Sequence, residues 1–140
     1  MKRVLRDMAA RFQEHALPVL AVRWLARLWA AALVLFWGAF FVEHTTEWFA
    51  RPHDWPPLDV ILLHSTHFAM LVGLIASWRW ELLGGVLALA AAILFFPQVA
   101  GKNATLFLLV SVGPSVLWIG LAGYVIGRCA SPRPGLRRAA

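Results

Sequence analysis

Residues 58–96 read LDVILLHSTHFAMLVGLIASWRWELLGGVLALAAAILFF. Two apolar runs are separated only by Trp78-Arg79-Trp80-Glu81. No charged residue interrupts the chain between Asp59 and Arg79, and none between Glu81 and Phe96. At a rise of about 1.5 Å per residue, runs of this kind suit helices that cross a hydrocarbon layer roughly 30 Å thick. The pair therefore reads as a transmembrane hairpin, with spans at 58–77 and 82–96.

The same pattern extends outward in both directions. A first span covers 24–42, with Pro18 placed as the first-turn proline of its helix, and the helix is expected to run on through Glu43-His44-Thr45-Thr46-Glu47-Trp48. Arg51 to Pro57 is broken by prolines, which cannot supply interior helix hydrogen bonds, and reads as a loop. Pro97 to Asn103 is the next loop, and a fourth span covers 105–126, with Pro114 expected to kink it. The fold class is an all-α, integral membrane four-helix bundle, with the membrane domain at 17–127. It is preceded by a basic amphipathic surface segment at 1–16 and followed by a basic, disordered tail at 128–140.

Composition agrees. Of 140 residues, 61% are hydrophobic and only 14% charged, too few charges for the surface of a soluble domain of this length. The net charge of +6 comes from basic residues flanking the apolar runs, so anionic lipid headgroups account for it, and nucleic-acid binding is not expected. A single cysteine, Cys129, precludes an intrachain disulfide.

Orientation follows from the cations. Lys2, Arg3, Arg6, Arg11, Arg23 and Arg27 precede or open the first span, Arg79 lies in the second connection, and Arg128, Arg133, Arg137 and Arg138 follow the last span. Only Arg51 and Lys102 fall in the other two connections. The positive-inside rule puts both termini in the cytoplasm. Arg23 and Arg27 are expected to snorkel to the inner headgroups. The preference for arginine over lysine suggests a bacterial cytoplasmic membrane.

Small residues recur every fourth position at Ala69, Gly73 and Ser77, at Gly84, Ala88 and Ala92, and at Gly123 and Gly127. Such strips let helix backbones approach closely, within the bundle or toward another subunit.

Chemistry, if present, gathers at the outer ends of spans one and two. Glu43, His44 and Glu47 share a sector of one helix, and His64 and His67 share a face of the next. Counted from Leu58, those two histidines lie on the order of 9 to 14 Å in from the outer end. Imidazole with carboxylate suits a first-row transition metal, and histidines on different helices can hold a haem iron. A proton relay is a third reading. Against these stands hydrogen bonding of the histidines to Ser65, Thr66 or a neighbouring carbonyl, with the glutamates in water. No HExxH, GxSxG or phosphate-loop motif is present.

The turn Trp78, Arg79, Trp80 and Glu81 places two tryptophans at headgroup level and a carboxylate at the start of span three. There the carboxylate complements the helix dipole and can cap free amides. With Ser77 before it and Gly84-Gly85 after it, this turn resembles that of a family of small, uncharacterised prokaryotic membrane proteins. Those proteins carry Ala-Trp-Arg-Trp-Glu, paired glycines and a histidine earlier in the second span, matched here by His64. Ser77 departs from the family's alanine. The resemblance implies a four-helix membrane fold and brings no activity. The expected function is a non-catalytic accessory or scaffold subunit of a larger membrane assembly. The alternatives are a metal- or haem-binding redox subunit using the His/Glu cluster, and a small transporter or proton-conducting element.

Overall fold

In the computed structural model the described residues are 2–50 and 55–130, with side chains described for 18–50 and 55–127. Four long helices carry the chain: α1 (Lys2–Thr45), α2 (Leu58–Ala76), α3 (Glu81–Val99) and α4 (Ala104–Ala130). Among the described residues there is no strand. All four helices are long and apolar enough to cross a membrane.

The boundaries of α2 fall where the sequence places them. Pro57, with φ −56° and ψ 153°, stands just before Leu58, and Ser77 closes the helix with its N–H on the Gly73 carbonyl. Other boundaries differ. Helix α1 passes through Pro18 instead of beginning there: one missing N–H and one ring clash are a local cost that a long apolar helix can absorb. Pro97 lies inside α3, not in the loop. The connection to α4 shrinks to a 3₁₀ turn, Gly101–Asn103, entered through Gly101 at φ +50°. Finally, α4 continues through Ala130, so the tail expected from Arg128 is helical at its start. The remainder of that tail, 131–140, lies outside the described residues.

At its far end α1 widens into a π turn, Thr46–Ala50. Polar side chains take carbonyls there: Thr45 Oγ1 donates to Phe41 O (2.7 Å), Thr46 Oγ1 to Glu43 O (2.7 Å) and His44 Nδ1 to Phe40 O (2.8 Å). Such bonds compete with the helix ladder and loosen it at its end.

Helix α3 packs closely on α2 and α4, and α1 touches α2 and α4. The α2–α3 seam is set by absent side chains. A Cβ placed on Gly73 would lie 2.5 Å from the Ala88 nitrogen, and one on Gly84 would run into the Ser77 backbone. The strip 73/77 therefore meets the strip 84/88, as their spacing leads one to expect, and Ala92 is buried further along. Ala69 is half-buried, while Gly123 and Gly127 are exposed, with nothing near either Cβ position. A further close approach joins α1 to α4, where the Trp29 ring occupies the space beside Gly113.

Arginine behaves differently from the snorkelling reading. Arg23 reaches both oxygens of Glu81, Nε at 2.9 Å from Oε1 and Nη2 at 3.2 Å from Oε2. Arg27 donates to the Trp78 carbonyl at 3.4 Å and lies 3.9 Å from the same carboxylate. Glu81 is the acid in the first turn of α3, where a carboxylate complements the helix dipole. Its carboxylate clamps α1 to the α2–α3 turn, because two cations 58 and 54 residues earlier arrive beside it.

Two stability outcomes follow. Gly84→Ala forces the seam apart and costs about 1–3 kcal/mol by overpacking, whereas Gly120→Ala, with open space at its Cβ, leaves detergent unfolding midpoints nearly unchanged. Glu81→Gln leaves Arg23 and Arg27 without their counter-charge and lowers stability by about 1–3 kcal/mol. A midpoint unaffected by Glu81→Gln rules the clamp out as a structural element.

Candidate functional site

An aromatic-lined concavity lies at the end of the bundle where α1 hands over to α2. It has a volume of about 360 Å³, within the range typical of small-ligand pockets. Helix α1 supplies Phe36, Trp37, Phe40 and His44, with Trp48 from the π turn; α2 supplies Val60, Leu63, His64 and His67; α3 and α4 close it with Phe95, Phe96, Val99 and Phe107. The walls are thus mostly aromatic, and the polar groups converging on them are imidazoles.

Each histidine is held differently. His64 stacks on Phe41, ring centroids 4.2 Å apart and planes at 18°. Its Nε2 is 2.9 Å from Thr45 Oγ1. Because the Thr45 hydroxyl proton already goes to the Phe41 carbonyl, this oxygen can only accept, so His64 donates through Nε2. His44 Nδ1 faces the Phe40 carbonyl at 2.8 Å, which likewise only accepts. In both neutral rings the second nitrogen is then an acceptor.

His67 is the buried member, only 4% exposed. Its ring meets Trp37 (6.2 Å) and Phe41 (5.5 Å) edge-on and lies tilted over Phe95 at 4.6 Å. Its Nε2 is buried without a hydrogen-bond partner. An orphan polar atom of this kind costs about 1–3 kcal/mol, and this one belongs to a residue that lines the cavity.

Trp37 organises this region. Its indole Nε1 donates to Ser111 Oγ at 3.0 Å, fixing α1 against α4. Its ring meets Phe96 (5.0 Å) and Phe107 (5.6 Å).

The structure therefore brings His44, His64 and His67 to one cavity and leaves Glu43 and Glu47 exposed, outside its lining. Among the described residues no group of three or more His, Cys, Asp or Glu side chains is placed to hold a metal ion. His53 lies outside the described residues, and the His15 side chain is likewise not described. The turn residues Trp78, Trp80 and Glu81 sit at the opposite end of α2, Arg79 between them. Sequence reasoning did not single out Trp37, Phe40, Phe95 or Phe96. A signal was present: Trp37, Phe40, Phe41 and His44 follow i, i+3, i+4, i+7 and so share one helical face.

Comparison with known proteins adds a family and no activity. No curated protein and no solved structure matches the chain. A family model does, over residues 13–127, which takes in all four helices and the histidine cavity. The chain belongs to the family described as DUF7670, a domain of unknown function.

Proposed function

We propose that this chain spans a bacterial cytoplasmic membrane four times, with both termini inside and the histidine cavity toward the outer face. There it serves as a non-catalytic accessory subunit of a larger membrane assembly. The observation that carries the reading is the distribution of side-chain size. Large apolar residues point outward on every helix, among them Leu28, Leu35, Leu62, Leu83, Leu94, Leu106 and Leu109, each at least 60% exposed. Small residues take a large part in the interior, where Ala26, Ala30, Ala88, Ala91 and Ala92 are nearly inaccessible beside Trp118, Phe96, Met70 and Leu74. Water opposes that arrangement, because each exposed leucine forfeits roughly 1.5–3 kcal/mol of burial. Lipid accepts it, since tails are as apolar as leucine and helices associate through close small-residue packing.

The cavity supports binding over reaction. It offers aromatic walls and imidazole nitrogens, and among the described residues no carboxylate or cysteine lines it. A conducting path receives less support, because the core beyond His67 is built from Met70, Leu71, Leu74 and the α3 alanines. A second reading, a haem- or metal-binding redox subunit, is favoured by one feature. His44 and His64 each commit one ring nitrogen to the protein, the way ligating histidines are oriented.

Two measurements check the primary reading. In a Cys129→Ser background, cysteines placed at Trp55 and Lys102 should react with a membrane-impermeant maleimide on intact cells, and one placed at Arg79 only after permeabilisation. The reverse pattern inverts the topology. Native electrophoresis from mild detergent at natural expression should show a stoichiometric heteromer, and a lone monodisperse chain contradicts the accessory role.

A further inference from the structure

We propose that the histidine cavity binds the ring of a lipid-borne quinone or quinol, with a ring oxygen on His67 Nε2 and the ring stacked among the aromatic walls. The inference deepens the membrane reading above and rests on it for the source of the ligand.

Three observations carry it. The first is the orphan nitrogen. His67 is 96% buried by its 4% exposure, and its Nε2 has no partner. A ligand oxygen brought to this nitrogen by a small turn of the ring toward the cavity that His67 lines removes the desolvation cost of the unpaired atom. Imidazole nitrogen suits both redox states of such a ligand: protonated at Nε2 it donates to a quinone carbonyl, and unprotonated it accepts from a quinol hydroxyl.

The second observation is the shape and chemistry of the walls. Trp37, Phe40, Phe95 and Phe96 surround about 360 Å³ with π faces and edges. Planar rings pack there in the offset or edge-on arrangements that those side chains already make among themselves, such as Trp37–Phe96 at 5.0 Å. A plain acyl chain would gain apolar contact but would leave His67 Nε2 unpaired.

Third, the cavity shares residues with the apolar outer surface. Phe36 is 50% exposed, Phe40 40% and Val99 45%, and all three line the cavity. Its mouth thus opens at a surface that lipid would cover, which selects a ligand delivered from the bilayer. At the same end, His44 and His64 present their acceptor nitrogens, so a second ring oxygen that carries a proton finds a partner.

The test is photolabelling of the full-length protein in phosphatidylethanolamine/phosphatidylglycerol liposomes with a short-tailed azidobenzoquinone. Impermeant-maleimide reactivity of a cysteine at Trp55 is run on the same liposomes. Labelled peptides should contain Trp37 or His67, and unlabelled short-tailed quinone should compete while a ringless isoprenoid alcohol does not. His67→Ala should reduce labelling about tenfold, the loss expected for one hydrogen bond worth roughly 1.4 kcal/mol. Should that variant fail to fold, Val99→Trp decides: it narrows the mouth at an exposed position without touching a histidine, and should reduce labelling to a similar degree. Labelling spread evenly over lipid-facing peptides, equal competition by the isoprenoid alcohol, or full labelling of Val99→Trp overturns the proposal. Absent labelling in correctly inserted protein overturns the ligand alone, whereas absent insertion overturns the membrane reading.

Discussion

Everything in this fold leans on the contact of α2 with α3 where glycine removes the side chains between them. At Gly73 and Gly84 the two backbones stand closer than any Cβ would permit, which suits the short four-residue connection at 77–80. That seam sets the antiparallel register of the hairpin. At one end the register delivers Glu81 to Arg23 and Arg27, and at the other it delivers Phe95 to His67. Close backbone approach joins the buried apolar cluster as a cohesive device, and it is the one that the proposed lipid setting favours.

Polar groups are few; many bond a carbonyl of their own helix, as Ser65 and Thr66 do, and others join helices. Arg23 with Glu81 and Arg27 with the Trp78 carbonyl hold α1 to the turn. Trp37 with Ser111 holds α1 to α4, and His64 with Thr45 holds α2 to α1. In the bilayer setting proposed above each of these costs much to break, because the freed group finds no alternative partner. Against that economy, an unpaired Nε2 on the most buried of the described histidines is conspicuous. The same helix contacts that stabilise the bundle enclose the cavity around it, so fold and site have a common origin in Trp37, Phe41 and Phe95.

Much of this was legible from the chain alone. Charge-free runs bounded by prolines and by Trp78-Arg79-Trp80-Glu81 delimit α2 closely, and fourfold spacing marks Gly73, Ser77, Gly84 and Ala88 as the seam. The i, i+3 relation of His64 and His67 correctly puts them on one face. Other features depend on contacts that no local pattern encodes. Arg23 and Glu81 are 58 residues apart, so an arginine near a helix end looks like a headgroup anchor until its partner arrives. Pro18 and Pro97 look like boundaries, because proline's local penalty is visible in sequence while the packing that tolerates it is not. Glu43 and Glu47 share a helix sector with His44, yet the turn of that helix leaves the carboxylates outside the cavity that the imidazole lines. Gly123 and Gly127 carry the same spacing as the seam glycines, yet a Cβ at either would stand in open space.

The most direct test of a built site around His67 is the nitrogen NMR of isotopically labelled histidine in the protein reconstituted in lipid nanodiscs. A buried, unpartnered Nε2 should give a resonance that shifts to saturation as a short-tailed quinone is titrated, while the resonances of His15 and His53 stay in place. A His67 resonance indifferent to the quinone, or one moving in step with His15 and His53, would contradict a site built around that nitrogen.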